Sequence, residues 1–156
     1  MEQLIARFDM RPLPVEGTLF AETYRSDAGA PSGGPAGTAG VGLFCRDPPS
    51  RSLFHRLAFD EVWHFYAGDP LRLVLLHPDG SDQEIVLGDG RTVQHAITAG
   101  VWQAGELVPG GEWALYGCTM APGWTPSCFE GAAIERLLAT HPQRASDIER
   151  LAIAAA

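Results

Sequence analysis

Two side chains able to move a proton stand close together in this sequence. One is His55, within Ser52-Leu53-Phe54-His55-Arg56. The other is Glu61, within Asp60-Glu61-Val62-Trp63-His64-Phe65-Tyr66-Ala67-Gly68-Asp69-Pro70-Leu71. Alternate residues of a strand share a face, so Glu61, Trp63 and Phe65 lie on one side and Val62, His64 and Tyr66 on the other. A carboxylate set among Trp and Phe loses hydration, which raises its pKa and suits general acid–base work. Alternatively, Glu61 pairs with Arg56 or Arg25 in a structural role. His64 points away from Glu61 unless a bulge re-aims it. Trp63 and Trp102 are flat surfaces for a planar or sugar ring, or fill the core. Arg25, beside Tyr24, can clamp a carboxylate or phosphate through two parallel hydrogen bonds, or pair with Glu22. No Ser-His-Asp order and no nucleophile elbow occurs, which leaves a triad hydrolase without support.

The elements that must position these groups read as β-strands. Extended runs cover 19–24, 41–45, 53–57, 61–66, 71–77, 84–87, 95–97, 101–107 and 112–119. Turn signals such as Asp47-Pro48-Pro49, Gly68-Asp69-Pro70 and Gly88-Asp89-Gly90 separate them. Short strands at near-regular spacing, without intervening helical pattern, predict an all-β antiparallel sandwich or jelly-roll barrel. Leu4, Ile5 and Phe8 predict a short N-terminal helix, ended by Pro12 and Pro14. The Gly/Pro/Ala/Ser-rich segment 27–37 has nothing to bury and reads as a flexible surface loop. After Pro122-Gly123 the period changes. Ile134, Leu137 and Leu138, then Ile148, Leu151 and Ile153, predict two short helices broken at His141-Pro142, packed on the barrel or across a dimer. The expected organisation is one domain over 1–156, with a barrel core at about 17–130 and a helical appendage at about 131–156.

The chain has 156 residues, 11 basic and 19 acidic side chains and a formal net charge of −8. Every basic residue is Arg. The absence of Lys excludes a pyridoxal aldimine, a Schiff-base aldolase and a Walker A phosphate loop. An apolar fraction of 46% and a charged fraction of 19% read as globular. Without a basic run, a nucleic-acid partner is not expected. The cysteines Cys45, Cys118 and Cys128 are odd in number and show no CxxC spacing. That argues against a disulfide framework or structural zinc site and fits a reducing cytoplasm, the expected location. Residues 1–10 lack a signal-peptide core, and no stretch approaches the roughly 20 apolar residues of a membrane span, so no membrane partner is expected.

Glu61, separated by six residues from the turn glycine Gly68 and a few residues after His55, resembles the first motif of the cupin superfamily. Thr98-Ala99-Gly100-Val101-Trp102-Gln103 takes the place of the second motif. The runs Glu22-Thr23-Tyr24-Arg25-Ser26, Ser52-x-x-His55-Arg56, 60–71, Gly100-Val101-Trp102-Gln103-Ala104 and Ala121-Pro122-Gly123 are similar to the small cupin-5 group, over roughly residues 2–130. The resemblance implies a double-stranded β-helix, a homodimer, and a pocket inside the barrel with the Glu61 face turned inward. It brings no settled reaction.

Metal-holding cupins use His-x-His, Glu and a later His. Here Phe54 and Arg56 flank His55, and Gln103 stands at the later position. His55 and Glu61 are then good ligands and Gln103 a poor one, where catalytic sites usually offer three good ones. Two arrangements follow. In one, no cofactor is required: His55 and Glu61 are acid–base partners, Tyr24, Arg25, Arg56 and Gln103 bind a small-molecule ligand, and Trp63, Phe65 and Trp102 wall the pocket. In the other, one divalent metal sits on His55, Glu61 and Gln103. The implied activity is an isomerase, epimerase or lyase acting on a sugar or carbonyl compound. A metal-dependent enzyme such as an oxygenase and a non-catalytic binding protein are the alternatives. Where relatives carry Thr-Ala-Ile-Tyr-Tyr, this chain has Thr38-Ala39-Gly40-Val41-Gly42, which predicts a wider or more apolar pocket. With no Lys, any anion inside must be held by Arg, His or backbone N–H, so Arg25 and Arg56 are the first candidates.

Overall fold

The computed structural model describes residues 1–153. Helix α1 (Glu2–Phe8) leads into strands β1 (Arg11–Pro12), β2 (Leu19–Arg25), β3 (Gly29–Ala30), β4 (Gly34–Pro35) and β5 (Thr38–Cys45). Next come β6 (Ser52–Leu57), β7 (Glu61–Gly68), β8 (Leu71–Leu76), β9 (Asp82–Leu87), β10 (Gln94–Ile97), β11 (Trp102–Leu107), β12 (Trp113–Met120) and β13 (Phe129–Gly131). Helices α2 (Ile134–Thr140) and α3 (Ala145–Leu151) follow. The strands form two antiparallel sheets, one ordered β1-β2-β5-β12-β7-β10 and the other β13-β6-β11-β8-β9. Facing each other, they make the double-stranded β-helix, with the short helices where the 3.6-residue pattern predicts them.

Part of the space between the sheets is solid. Phe44, Leu71, Leu73, Leu75, Leu87 and Tyr116 pack there at no more than 1% exposure. The strands bring these residues inward because their apolar side chains recur with period 2. Gly105 admits a side chain from the facing sheet; a Cβ there would meet the Phe44 ring at 2.9 Å.

The outer face of the second sheet is covered by the C-terminal helices. Phe54, Val74, Leu76, Trp102 and Ala104 pack against Leu137, Ile148 and Leu151. Burial of each such aliphatic side chain contributes about 1.5–3 kcal/mol. Polar ties fix the angle of α3: Arg72 on β8 reaches Glu84 (2.9 Å), Glu106 (2.8 Å) and Asp147 of α3.

The segment 27–37 is not an irregular loop. It folds into the β3–β4 hairpin, whose small residues let backbones approach closely: Gly123 N–H bonds Pro35 O at 2.9 Å, and Thr125 would lie 2.8 Å from a Cβ at Gly34. Strand β5 starts at Thr38, earlier than the apolar alternation indicates, because Gly40 and Gly42 interrupt the pattern without interrupting the pairing to β12. Among the described residues, no helix is long and apolar enough to cross a membrane.

Candidate functional site

The rest of the barrel interior is hollow. A cavity of about 400 Å³ opens beside the packed core, within the size range of small-molecule sites. Its walls come from the inward faces of β2, β5, β6, β7 and β12, and from Leu13–Glu16 and Trp124–Phe129 near the mouth. Register sets the inward face: Trp63 pairs with Cys118 and Glu61 with Met120, and Cys118 pairs in turn with Gly40. The aligned side chains all line the cavity.

Glu61 is 8% exposed and lies on the wall. Two donors converge on one of its oxygens: Trp63 Nε1–H and Gln103 Nε2–H reach Oε2 at 3.0 and 2.9 Å. The indole N–H is shared with Gln103 Oε1, at 2.8 Å. Burial raises the Glu61 carboxyl above its ordinary value; nearby His55 opposes the rise, Glu16 adds to it, and the two hydrogen bonds oppose it. Because Oε2 already accepts two hydrogen bonds, a proton held by this carboxyl sits on Oε1; the Cys118 thiol is also within hydrogen-bonding reach of the carboxyl.

His55 comes from the neighbouring wall, opposite Gln103 in the β6–β11 register. Its Nδ1–H donates to Leu53 O at 2.9 Å, so neutral His55 carries its lone pair on Nε2. The ring stacks on Phe129, centroids 5.4 Å apart, and Glu16 Oε2 lies 3.7 Å from Nδ1. Tyr116 completes the interior wall. Its hydroxyl meets Thr18 Oγ1 at 2.8 Å, and its ring stacks on Trp63 at 4.7 Å. Burial pushes the Tyr116 phenol and the Cys118 thiol well up, so both stay neutral.

The structure brings His55, Glu61, Trp63 and Gln103 together and leaves the other expected site residues outside. Tyr24 is 58% exposed. Arg25 is exposed and bound by both ends of its fork to Glu22 (2.8 and 2.6 Å), with a third bond to Trp124 O. Arg56 points outward, bonded to Glu130 at 2.7 Å and stacked on Trp102. Trp102 itself faces the C-terminal helices, because it neighbours inward-facing Gln103 and adjacent strand residues point to opposite faces. Phe65 packs against the solid core instead of the cavity. His64 also faces away, bonded to Thr119 Oγ1 and Gln94 Nε2, each at 2.9 Å. Sequence reasoning missed Glu16, Phe20, Tyr116 and Trp124. Alternation along β12 signals Tyr116 once Cys118 is placed, whereas Glu16 lies on an aperiodic segment.

The space expected at the two glycines is taken. A Cβ at Gly42 would lie 2.2 Å from the Tyr116 ring, and one at Gly40 would lie 2.1 Å from the Phe20 ring. The glycines admit neighbouring aromatics and do not widen the cavity.

The donor set does not fit a cupin-type metal. Gln103 Oε1 accepts from Trp63, which occupies the amide oxygen a metal would need. What remains is His55 Nε2 and Glu61 Oε1, fewer than a catalytic ion usually takes. Among the described residues, no group of three or more His, Cys, Asp or Glu is placed to hold a metal ion.

Residues 2–132 match the family described as Cupin superfamily (DUF985). A search of curated proteins finds no match. Among solved structures, a protein from Shewanella oneidensis is 28% identical with a TM-score of 0.86, the alignment covering 97% of this chain and 96% of that one. A hypothetical protein from Leishmania major is 26% identical with a TM-score of 0.85, covering 97% and 98%. A dTDP sugar isomerase from Desulfovibrio desulfuricans shares the fold at 19% identity and a TM-score of 0.54, covering 78% and 87%.

Proposed function

We propose, for a chain that belongs to the Cupin superfamily (DUF985) family, that the barrel cavity binds a small metabolite and moves protons on it without a metal. The reaction class is isomerisation, epimerisation or elimination at a carbon next to a carbonyl, as in a sugar or related compound. The observation that carries this reading is the Glu61 carboxyl: buried on the cavity wall and held by two donors on Oε2, which leaves Oε1 as the oxygen that can carry the proton.

The chemistry follows from two groups of opposite readiness. His55, its Nδ1–H committed to Leu53 O, takes a proton from the carbon through Nε2. Glu61, whose carboxyl is pushed toward its protonated form by burial, gives its proton from Oε1 to the carbonyl oxygen as electrons move onto it. The product is a neutral enediol or enol. Return of the proton to the neighbouring carbon, and of the hydroxyl proton to Glu61, completes an isomerisation with both groups restored. Gln103 and Trp63 are positioning residues that fix the carboxyl. Tyr116 and Cys118, both neutral, offer short-range hydrogen bonds without charge.

The test is proton exchange in heavy water. The full chain is incubated in D2O with a panel of small aldoses, ketoses and keto compounds, and carbon-bound deuterium is read by NMR. Wild type should label at least one compound next to its carbonyl, and Glu61→Gln should lose the labelling by about 10²–10⁴-fold, the usual worth of a positioned acid or base. Binding of a panel compound with no labelling by wild type would overturn the acid–base reading in favour of a pure binding protein.

A further inference from the structure

We propose that this cavity takes a small organic cation, an ammonium-bearing compound, and turns anions away. The inference rests on the reading above only in using the same cavity as the ligand site.

Its ground is the sign of the walls. Among the described residues, Glu16, Glu22 and Glu61 line the cavity and no arginine does; Glu22 is offset by Arg25 and a protonated Glu61 adds an oxygen without charge, which leaves Glu16 as the negative group and His55 as the one lining side chain that can take up a positive charge. The chain has no Lys to supply another. The two arginines that could have held an anion are committed elsewhere, Arg25 to Glu22 at the exposed rim and Arg56 to Glu130 on the outer face. Among the described residues no arginine pairs with Glu16; the basic group beside it is His55 Nδ1, at 3.7 Å. Glu16 Oε2 takes the Ser52 hydroxyl at 3.1 Å, while the nearby His55 Nδ1–H goes to Leu53 O.

A phosphate or carboxylate in this space would be desolvated beside the Glu16 carboxyl with no arginine or lysine in the lining to neutralise it, an arrangement proteins avoid. A nucleotide sugar, with its diphosphate, is excluded on the same ground. An ammonium group meets the opposite situation. It finds carboxyl oxygens at Glu16 and Glu61 among the rings of Trp63, Trp124 and Phe129, whose quadrupoles attract cations most when water is excluded. The apolar remainder of such a ligand would lie against Leu57 and Met120.

The test uses three probes that share one ring and differ in charge: benzylammonium, benzyl alcohol and benzoate. They are titrated calorimetrically into the full chain. Benzylammonium should bind at least about tenfold more tightly than benzyl alcohol, the margin a desolvated cation–π contact and a carboxylate supply together. Benzoate should bind most weakly. Glu16→Gln should weaken benzylammonium more than benzyl alcohol, and its unchanged thermal midpoint would show that the fold is kept. Benzoate binding as tightly as benzylammonium, or no benzylammonium binding up to about 10 mM, overturns the proposal, since fragments that fit a pocket bind in the millimolar range or better. The readout is binding alone. A charge preference without deuterium labelling leaves this inference standing and removes the acid–base one, and labelling of a panel compound without the charge preference does the reverse.

Discussion

Replacing Gly42 with alanine asks whether the Tyr116 ring is locked in the cavity wall. The new Cβ would stand 2.2 Å from Tyr116 Cζ and 2.4 Å from its hydroxyl. Ordinary contact lies at about 3.5–4 Å, so the ring must retreat by about 1.3–1.8 Å. It has no room: Trp63 is stacked 4.7 Å away on one side and the Phe44 centroid lies at 4.5 Å on another. Overpacking of this kind costs about 1–3 kcal/mol. Retreat also breaks the Tyr116–Thr18 bond and strands two buried hydroxyls, for about 1–3 kcal/mol more. Alanine recovers about 0.5–1 kcal/mol of the chain entropy that glycine loses in a strand. The net expectation is about 1–5.5 kcal/mol of destabilisation, or about 2–22 °C in Tm for a chain of this length. Urea unfolding followed by tryptophan fluorescence measures it. Gly110→Ala is the control, because its φ of +91° strains the backbone while its Cβ meets nothing within 4 Å; it should cost about 1–2 kcal/mol. In a Tyr116→Leu background, Gly42→Ala should cost less than about 1 kcal/mol, the coupling expected of residues in contact. A Gly42→Ala protein within about 0.5 kcal/mol of wild type, inside the range of an unremarkable surface change, would refute the packing argument.

Two further outcomes are expected. Burial raises the Glu61 carboxyl in the folded chain, so the native state holds its proton more tightly than the unfolded state. The stability this confers is complete below the unfolded value near pH 4.3 and is lost as pH rises through the raised folded value. Glu61→Gln cannot lose that proton, so its urea midpoint relative to wild type should climb over this window and then level off; a flat difference from pH 4 to 9 argues against the shift. Leu151→Ala, in the fully buried contact between α3 and the sheet, should cost about 2–5 kcal/mol. Deuterium labelling, where observed, should survive in that variant at temperatures below its melt, because Leu151 packs on the side of the sheet away from the cavity.

Alternation along strands made much of the architecture legible. It placed Glu61 and Trp63 on one face and His64 on the other, and the change of period after Pro122-Gly123 marked the two C-terminal helices. The same rule, applied strictly, forbids Trp102 and Gln103 from sharing the cavity, since neighbours on a strand point to opposite faces. Assigning both to the pocket ranked side-chain chemistry above geometry. Arg25 and Arg56 were attractive because a lysine-free chain must hold anions with arginine, yet both found carboxylates nearer at hand in Glu22 and Glu130. Glu16 was illegible for a different reason. It sits between Pro14 and Gly17 on a segment with no period, and only the fold brings it beside His55.

The double hydrogen bond on Glu61 Oε2 has a stereochemical consequence. With that oxygen pinned by Trp63 and Gln103, the two oxygens are no longer interchangeable, and the carboxyl cannot rotate to offer the other without breaking both bonds. A ligand seated against this wall meets its acid from one fixed direction and its base, His55, from another. A prochiral carbon exchanging hydrogen there exposes a single face to the base, so label introduced from solvent would occupy one of two otherwise equivalent positions. On the acid–base reading, the handedness of the product would follow from which of two chemically identical oxygens the indole and the amide hold.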